Sequence, residues 1–305
     1  MAAVLVTGAA GMIGRRVVEM LSAAGRPVIA CDRVTPPDPA DYATVLSELA
    51  DIHRLFDIVM QGAVAGIIHC GGVSGTMVGR DHPAGTAAAN IAGTVNLLEI
   101  ARQRRLGRFV YCSSVSAYGH TPPGLDPVDA SAPLAATDIY GASKAAADLM
   151  VRAYASDYGV DAVALRIGFV FGPRRRTASF LGSALRDAID GRATRIPEDG
   201  ERMMQLVYVE DVAEALIAAY DADDVKPRAF NITSGTRLKL QELAELVTQA
   251  LPQARIRFGT TPDREANRQA RFDIAATERA LGWRPRVTLE EGIASYADWL
   301  RQNPF

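Results

Sequence analysis

The feature that most constrains this chain of 305 residues is a glycine-rich turn close to its N-terminus. Gly8, Gly11 and Gly14 separate the apolar residues 4–7 from a segment with helical spacing that starts at residue 13. Glycines at such a place permit a tight turn and let backbone N–H groups approach a phosphate at the start of the helix. A strand, a glycine-rich turn and a helix in this order predict a nucleotide-binding unit and, with it, a parallel sheet.

The N-terminal half repeats this alternation of short apolar runs and helical segments. The runs are apolar throughout rather than alternating with polar residues, which suits a parallel sheet covered by helices on both faces. The sequence therefore predicts an α/β fold with a doubly wound parallel sheet of the Rossmann type. The predicted strands are 4–7, 28–31, 43–46, 66–70, 109–113 and 162–167, and the predicted helices are 13–24, 51–60 with Asp51 as its N-cap, 86–104 and 139–158.

The organisation changes after Gly172-Pro173, where proline and glycine become denser and the elements less regular. We interpret residues 1–172 as a dinucleotide-binding domain and residues 173–305 as a smaller substrate lobe, partly interleaved with the sheet because some of its elements return to it. The predicted elements of this lobe are the strands 206–209 and 229–232 and the helices 179–190, 211–220, 240–251, 274–281 and 289–301.

Composition excludes several classes of protein. A net charge of −2 offers no basic surface for nucleic acid or an anionic membrane. No apolar run approaches the roughly 18 residues that a membrane span needs, and the N-terminus runs into a strand without a signal-peptide pattern. We therefore expect a cytoplasmic, metal-free protein with free thiols in a reducing compartment. The residues behind this expectation are Cys31, Cys70 and Cys112, which show no disulfide spacing, and His53, His69, His82 and His120, which are scattered.

The choice of nucleotide depends on the end of the second predicted strand, where Asp32 and Arg33 stand side by side. A carboxylate at this position binds ribose hydroxyls and repels a 2′-phosphate, which favours NAD over NADP. An arginine can serve a 2′-phosphate instead, so Arg33 leaves NADP open.

Tyr140 and Lys144 stand four residues apart in a predicted helix, which places both side chains on one face. A phenol titrates at about pH 10 and is by itself a poor acid or base near neutrality. An ammonium group one turn away favours the phenolate, so the pair predicts a general acid/base that moves a proton on or off a hydroxyl. The same spacing is also common on solvent-exposed helix faces, so this interpretation depends on the other motifs.

Taken together, the motifs resemble the extended short-chain dehydrogenase/reductase family, and more narrowly its NAD-dependent epimerase/dehydratase group. The resemblance covers nearly the whole chain. It is carried by Gly-x-x-Gly-x-x-Gly at 8–14, Ile-His-Cys-Gly-Gly at 68–72, Ser-Ser-Val-Ser-Ala-Tyr-Gly at 113–119, Tyr-x-x-x-Lys at 140–144, the strand and turn at 165–173, Val-Tyr-Val-Glu-Asp-Val-Ala at 207–213 and Ala-Leu-Gly-Trp-Arg-Pro at 280–285.

This resemblance implies a site and a mechanism. Ser114 would hydrogen-bond the reacting oxygen, Tyr140 would accept the hydroxyl proton as phenolate, and Lys144 would support Tyr140 and hold the ribose. Ser113 is an equally serviceable hydroxyl by composition, and only the motif register favours Ser114. The resemblance further implies a homodimer through helices 86–104 and 139–158. The implied NAD-binding residues are Gly8, Gly11, Met12, Ile13, Gly14, Asp32, Arg33, Glu48, Leu49, Cys70, Gly71, Gly72, Asn90, Tyr140 and Lys144.

Departures from the family pattern narrow the substrate. Dehydratases of this group carry an Asp-Glu pair directly after the catalytic hydroxyl, and this chain has Val115-Ser116 instead, so we do not expect dehydration. Enzymes that act on nucleotide sugars carry an asparagine where Phe169 stands, and arginines that bind the diphosphate. Those arginine positions align with Met204 and Asp263, so a nucleotide sugar would require Arg202, Arg264 or Arg268 as a substitute.

The segment Gly71-Gly72-Val73-Ser74-Gly75 looks closer to relatives that oxidise sugar acids. We therefore predict an NAD-dependent dehydrogenase acting on a secondary alcohol or hemiacetal of a small sugar or sugar acid. An NAD-retaining sugar 4-epimerase is the alternative, and a non-catalytic nucleotide sensor is a third hypothesis that would not need all three catalytic residues. The predicted substrate-binding residues are Ser74, Ser116, Phe169 and Arg174, the first of three consecutive arginines able to meet a carboxylate or phosphate.

Overall fold

The computed structural model describes residues 2–122, 124–262 and 269–303. Its strands are β1 (Ala3–Thr7), β2 (Val28–Asp32), β3 (Thr44–Leu46), β4 (Val64–His69), β5 (Phe109–Ser114), β6 (Ala162–Ile167), β7 (Phe169–Phe171), β8 (Ala193–Glu198), β9 (Met203–Met204), β10 (Leu206–Tyr208), β11 (Ala229–Ile232), β12 (Leu238–Lys239) and β13 (Arg255–Thr261).

The helices in the same ranges are α1 (Met12–Ala23), α2 (Ile52–Gln61), α3 (Thr76–Asp81), α4 (Pro83–Ala87), α5 (Gly93–Arg104), α6 (Ile139–Tyr158), α7 (Phe180–Ile189), α8 (Val209–Asp221), α9 (Leu240–Ala250), α10 (Ala275–Leu281) and α11 (Leu289–Gln302). A π-helical turn, Ala88–Ala92, joins α4 to α5, and a 3₁₀ turn, Val115–Tyr118, follows β5.

One seven-stranded sheet organises the molecule, in the order β11-β6-β5-β4-β1-β2-β3. Every neighbouring pair in it runs parallel. The strand order reverses between β1 and β4, and ligands of such sheets bind in the crevice at the carboxyl ends of the strands there. Strand β11 comes from the C-terminal part of the chain but closes the edge beside β6. The predicted doubly wound α/β fold with a partly interleaved smaller lobe is confirmed.

Both faces of the sheet are buried, as the uninterrupted apolar runs predicted. Val6 and Ile68 belong to one apolar cluster, and their neighbours Leu5 and Ile67 belong to another. Because successive strand residues point to opposite faces, these two clusters are the two covered sides of the sheet. A third cluster unites residues of α7, α9 and α11 with β7 and β10 and forms the core of the smaller lobe.

The differences from the predicted elements have local causes. Asp51 caps α2 as predicted, because its carboxylate accepts a hydrogen bond from the backbone N–H of Arg54. The predicted continuous helix at 86–104 instead contains the π-helical turn, which interrupts the regular hydrogen bonding. Helix α3 and strands β7, β9 and β12 were not predicted because they are short, and β8 and β13 were not predicted because few of their residues are buried. A domain boundary at residue 172 stays a prediction.

No helix within the described ranges is both long and apolar enough to cross a membrane.

Candidate active site

The glycine turn between β1 and α1 is closed against the end of β4. Gly8 has a φ of +72°, and a Cβ atom on it would lie 2.6 Å from the carbonyl carbon of Cys70. A Cβ atom on Gly14 would overlap the carbonyl oxygen of Gly8. Only glycine fits both positions, so the turn brings the start of α1 close to the carboxyl ends of β1 and β4.

The start of α1 suits an anion. Gly11 is its N-cap and provides no side-chain cap, and the first turn, which includes Met12 and Ile13, holds no acidic residue. The unpaired N–H groups and the positive end of the helix dipole therefore face the switch point of the sheet without a competing carboxylate. This arrangement fits the pyrophosphate of a dinucleotide.

Asp32 ends β2 beside this turn. One of its carboxylate oxygens accepts a hydrogen bond from the backbone N–H of Ala10 at 2.9 Å, and the other accepts from Arg33 N–H at 2.7 Å. The second of these oxygens also accepts from Val34 N–H at 3.3 Å, so the oxygen bonded to Ala10 is the one that retains a lone pair for a ribose hydroxyl. The side chain of Arg33 points to solvent.

The end of β4 continues into Cys70, Gly71 and Gly72, which lie beside the glycine turn. A Cβ atom on Gly71 would contact the side chain of Leu49 at 3.2 Å, so Leu49 packs directly behind this segment. Glu48, next to it, is exposed. The structure thus brings the predicted cofactor residues of four chain segments together at one edge of the sheet.

Asn90 lies in the π-helical turn and is buried. Its side-chain oxygen accepts from Val73 N–H at 2.8 Å, and its amide nitrogen donates to the Val73 carbonyl at 3.0 Å and to the Ser143 hydroxyl at 2.8 Å. Ser143 in turn donates to the carbonyl of Tyr140. One amide therefore fixes both the loop after β4 and the helix that carries Tyr140 and Lys144.

His69, one of the four histidines that look scattered in the sequence, lies at the centre of a buried polar chain. Its ring nitrogens lie 2.6 Å from the hydroxyl of Thr7 and 3.1 Å from the hydroxyl of Thr94. Thr94 donates to the carbonyl of Asn90, and Thr7 accepts from Gly71 N–H. Since each hydroxyl has one proton, Nε2 carries the ring hydrogen and donates to Thr94, while Nδ1 accepts from Thr7. Burial lowers the pKa of His69 to about 3, so the ring is neutral.

The sequence contains a signal that could have predicted these hydrogen bonds of His69. Thr7 and His69 end neighbouring strands, and the register of the sheet pairs them directly. Polar residues at the carboxyl ends of adjacent parallel strands point to a shared polar cluster rather than to isolated side chains.

Lys144 is buried, and its ammonium group donates to the carbonyl of Cys112 at 2.8 Å. The same nitrogen lies 4.9 Å from the centroid of the Tyr111 ring. Burial opposes the charge of Lys144, but the electrostatic effect of the Tyr111 and Tyr140 phenols outweighs it and raises the pKa of the lysine. Lys144 is therefore protonated at neutral pH, one helical turn from Tyr140.

Ser114 and Tyr140 approach each other through a close backbone contact. Ser114 ends β5, and its hydroxyl accepts from Ser116 N–H at 3.1 Å. A Cβ atom on Gly141, directly after Tyr140, would lie 2.5 Å from the carbonyl oxygen of Ser116. The start of α6 therefore abuts the turn that follows Ser114, which brings the three predicted catalytic residues to one place.

A buried ion pair beneath this site distinguishes Ser113 from Ser114. The carboxylate of Asp148 accepts from Arg166 Nε at 2.9 Å, from its Nη2 at 3.0 Å and from the Ser113 hydroxyl at 3.0 Å. Arg166 and Asp148 are fully buried, and Tyr118 accepts a further hydrogen bond from the guanidinium at 2.8 Å. Ser113 is thus occupied by the core network, which favours Ser114 as the reactive hydroxyl.

The predicted substrate residues have different surroundings. Ser74 is exposed and Ser116 is half-buried. Phe169 is half-buried, and the guanidinium of Arg175 stacks on it at 4.3 Å from its ring centroid. Arg174 pairs with Asp38 at 3.0 Å and with Glu19 at 3.5 Å, so it is engaged with α1 and the loop after β2.

The positions where a diphosphate would bind are only partly described. Met204 is half-buried in β9, where it pairs with Leu238. Arg202 lines a cavity of about 380 Å³ in the smaller lobe, together with Phe180, Arg195 and Glu198. Asp263, Arg264 and Arg268 lie outside the described residues. All three cysteines, Cys31, Cys70 and Cys112, are free thiols, as predicted.

Comparison with known proteins shows the family and the fold. The model of the NAD dependent epimerase/dehydratase family matches residues 4–233. A dTDP-glucose 4,6-dehydratase of Streptomyces niveus is 30% identical, with 98% of this chain and 93% of that protein covered. A UDP-glucose 4-epimerase of Mycolicibacterium smegmatis is 28% identical, with 97% and 98% covered. The structure of the Thermotoga maritima UDP-glucose 4-epimerase with UDP-glucose superimposes with a TM-score of 0.91 at 26% identity, over 98% of this chain and 99% of that one.

Proposed function

This chain belongs to the NAD-dependent epimerase/dehydratase family, and from that premise we propose that it transfers hydride between NAD and a secondary alcohol or hemiacetal carbon of a small sugar or sugar acid. Membership makes the chain an NAD-dependent enzyme. The reaction and its residues are the proposal, and the cluster of Ser114, Tyr140 and Lys144 supports it.

The observation that carries the proposal is the anchoring of Lys144. Its ammonium is buried, held 2.8 Å from the Cys112 carbonyl, and placed one helical turn from Tyr140. A fixed positive charge next to a phenol favours the phenolate, which can take a proton from an alcohol. If the Tyr-x-x-x-Lys pair lay on a solvent-exposed helix face without a catalytic role, the lysine would be exposed.

Each residue has a defined part in the proposed reaction. The Ser114 hydroxyl hydrogen-bonds the oxygen of the reacting carbon, and Tyr140 removes the proton from that oxygen. Lys144 supplies a positive charge one helical turn from Tyr140, and Asn90 holds the helix in position through Ser143. NAD, when bound, supplies the hydride acceptor. In the proposed complex, Asp32 selects the unphosphorylated adenosine ribose, and the first turn of α1 binds the pyrophosphate.

The two residues directly after Ser114 disfavour dehydration. Elimination of water from a sugar requires an acid and a base beyond the hydride-transfer residues. Val115 and Ser116 occupy these two positions, and Val115 is buried. Neither side chain titrates near neutral pH, so the turn offers no acid or base for elimination.

Epimerisation at a sugar carbon is a second candidate, because the same residues can serve it. It is favoured by the relatives named as epimerases. The cavity in the smaller lobe also presents Arg195 and Arg202, two guanidinium groups that suit the roughly two charges of a diphosphate. An epimerase would return the hydride to the other face of the same carbon and release no NADH.

The direct test is to add NAD and a panel of sugars and sugar acids to the purified protein and to follow NADH absorbance. We expect NADH to form with at least one of them, and to form with Tyr140→Phe at a rate lower by roughly 100-fold or more, because the proton acceptor is lost. Conversion of one sugar isomer into another with no free NADH would instead establish the epimerase.

A further inference from the structure

Three consecutive arginines follow β7, and two of them are accounted for by contacts away from the reacting groups. Arg174 has a left-handed backbone with φ of +66° and pairs with Asp38 and Glu19. Arg176 is exposed and reaches the carbonyl of Ala10 at 3.4 Å. Both side chains are directed toward the cofactor side of the molecule.

Arg175 turns the other way. Its guanidinium lies 4.3 Å from the ring centroid of Phe169, and it donates to the carbonyl of Val170. Its Nε atom is buried and has no hydrogen-bond partner within the described residues. No carboxylate of the residues that the structure describes forms an ion pair with Arg175, whereas Arg174 pairs with two carboxylates.

A guanidinium in this situation lacks a counterion. Burial lowers the pKa of Arg175, which shows that its surroundings disfavour the positive charge. Arg175 is half-buried. Charges that lose contact with water are normally paired in proteins, and one left without a partner is a candidate ligand-binding group. The planar fork of an arginine matches a carboxylate with two parallel hydrogen bonds.

The location of Arg175 ties it to the reaction. After burial, the phenols of Tyr296 on α11 and of Tyr140 are the groups that act electrostatically on the pKa of Arg175, and both favour its charge. Phe169, against which it stacks, occupies the position predicted to face the substrate. An anion bound to Arg175 would therefore lie on the same small molecule whose hydroxyl meets Ser114 and Tyr140.

We propose that Arg175 binds a carboxylate of the substrate, and that the substrate is accordingly a sugar acid. This proposal names the substrate class of the proposed function. It rests on that function for the reaction, whereas binding of the carboxylate does not depend on it. A single guanidinium matches a single negative charge. A diphosphate at Arg175, with about two charges, would need a second cation there, and the neighbouring Arg174 and Arg176 are engaged elsewhere. Arg195 and Arg202, which suit the epimerase candidate, line a cavity of which Arg175 is not part.

The test compares acids with neutral sugars of the same configuration, using the NAD-loaded protein. The probes are D-glucuronate against D-glucose, D-galacturonate against D-galactose, and D-glucose 6-phosphate as the phosphate arm. Binding is measured by calorimetry with Tyr140→Phe, and turnover is measured by NADH formation with the wild type. The variants are Arg175→Met, which keeps the apolar packing on Phe169, and Arg175→Lys; Arg176→Gln is the neighbouring control. Thermal unfolding of each variant establishes that it is folded.

We expect a uronate to bind at least 10-fold more tightly than its neutral counterpart. Arg175→Met should weaken the binding of that uronate by roughly 100-fold, as expected for a charged bidentate hydrogen bond. Arg175→Lys should recover part of the loss. Arg176→Gln should change the affinity for the uronate by no more than about two-fold, and Arg175→Met should change the affinity for the neutral sugar by no more than about two-fold.

Three outcomes would overturn the inference. The first is equal affinity for acids and neutral sugars, and the second is tighter binding of the phosphate than of both uronates. The third is an equal loss of affinity for acid and neutral sugar in Arg175→Met, which would indicate that Arg175 has a packing role. Failure of the proposed function gives a different result: the uronate binds through Arg175, but the wild type forms no NADH.

Discussion

The side-chain amide of Asn90 donates a hydrogen bond to the hydroxyl of Ser143 over 2.8 Å, and both groups are buried. This bond joins the π-helical turn after β4 to the middle of the Tyr140–Lys144 segment of α6. The same amide holds the backbone of Val73 by two further hydrogen bonds. The cofactor side and the acid/base side of the candidate site therefore share one side chain.

Asn90→Ala should lower kcat by 10- to 100-fold, because a displacement of the acid/base helix by a fraction of an ångström misplaces Tyr140. Ser143→Ala removes only the link to α6 and leaves the two bonds to Val73 intact. We expect Ser143→Ala to lower kcat with little change in the KM for NAD, and Asn90→Ala to affect both. Steady-state kinetics of the two variants provides the measurement. If Asn90→Ala and Ser143→Ala changed kcat and the KM for NAD to the same extent, the bond to Ser143 and the bonds to Val73 would not have separate roles.

Stability should depend on His69 at acidic pH. The pKa of the buried ring is lowered from 6.5 to about 3, so between these values the unfolded chain binds a proton that the folded protein does not. The contribution of His69 is complete above pH 6.5 and is lost progressively as the pH falls toward 3. Between pH 7 and pH 5 this loss amounts to about 2 kcal/mol.

The matched variant is His69→Gln, whose amide can still contact both threonine hydroxyls but does not titrate. Urea unfolding at both pH values should show a fall in the free energy of unfolding that is smaller by about 2 kcal/mol in the variant. An identical fall in the two proteins would show that the ring accepts a proton without unfolding.

Breaking the ion pair between Arg166 and Asp148 should strongly destabilise this end of the sheet. Asp148→Asn leaves a fully buried guanidinium without its counterion, and such changes cost about 3–5 kcal/mol. Ser113→Ala removes one hydrogen bond to the same carboxylate and should cost about 1 kcal/mol. Urea denaturation provides both values. A loss below about 1 kcal/mol for Asp148→Asn would mean that the guanidinium finds another partner.

The predicted homodimer stays a prediction, and α6 offers its test. Leu149 projects from this helix with 52% of its surface exposed. Leu149→Glu should produce a monomer in light scattering if α6 packs against a second copy, because a buried carboxylate would lack a counterion there. Met60→Glu, an equally drastic change on α2 where the side chain is 46% exposed, should leave the dimer intact. A monomeric wild type, or a dimer that survives Leu149→Glu, would contradict an interface through α6.

Asp32→Ser should shift the cofactor preference toward NADP. The substitution removes a negative charge that would repel a 2′-phosphate and leaves the exposed Arg33 beside it. We expect the ratio of kcat/KM for NADP to that for NAD to rise by roughly 10- to 100-fold. An unchanged ratio would show that Asp32 serves only its backbone contacts with Ala10 and Arg33.

The sequence was sufficient for the elements with strong patterns, and the roles of the motif residues in the site stay predictions. The apolar runs of β1, β4, β5 and β6 predicted the parallel sheet because burial on both faces favours apolar residues along most of each strand. The register of the motif also selected Ser114, and the structure supplies the reason in the bond from Ser113 to Asp148.

Other features depended on contacts that no local pattern contains. The direction of the three arginines follows from the left-handed backbone at Arg174, which turns its side chain to Asp38 and leaves Arg175 against Phe169. The polar chain through His69 depends on the register between β1 and β4. The short strands of the smaller lobe form only against partners distant in sequence, so their propensities alone do not reveal them.

The most direct test of the central claim is to identify the nicotinamide nucleotide released when freshly purified protein is denatured, before and after exchange against added isotope-labelled NAD. For a dehydrogenase that releases NADH, we expect only NAD, in less than stoichiometric amount, and its complete replacement by the labelled form. Stoichiometric NAD that does not exchange would contradict that claim and establish an enzyme that retains its cofactor, as an epimerase does. NADP in the site would contradict the role of Asp32.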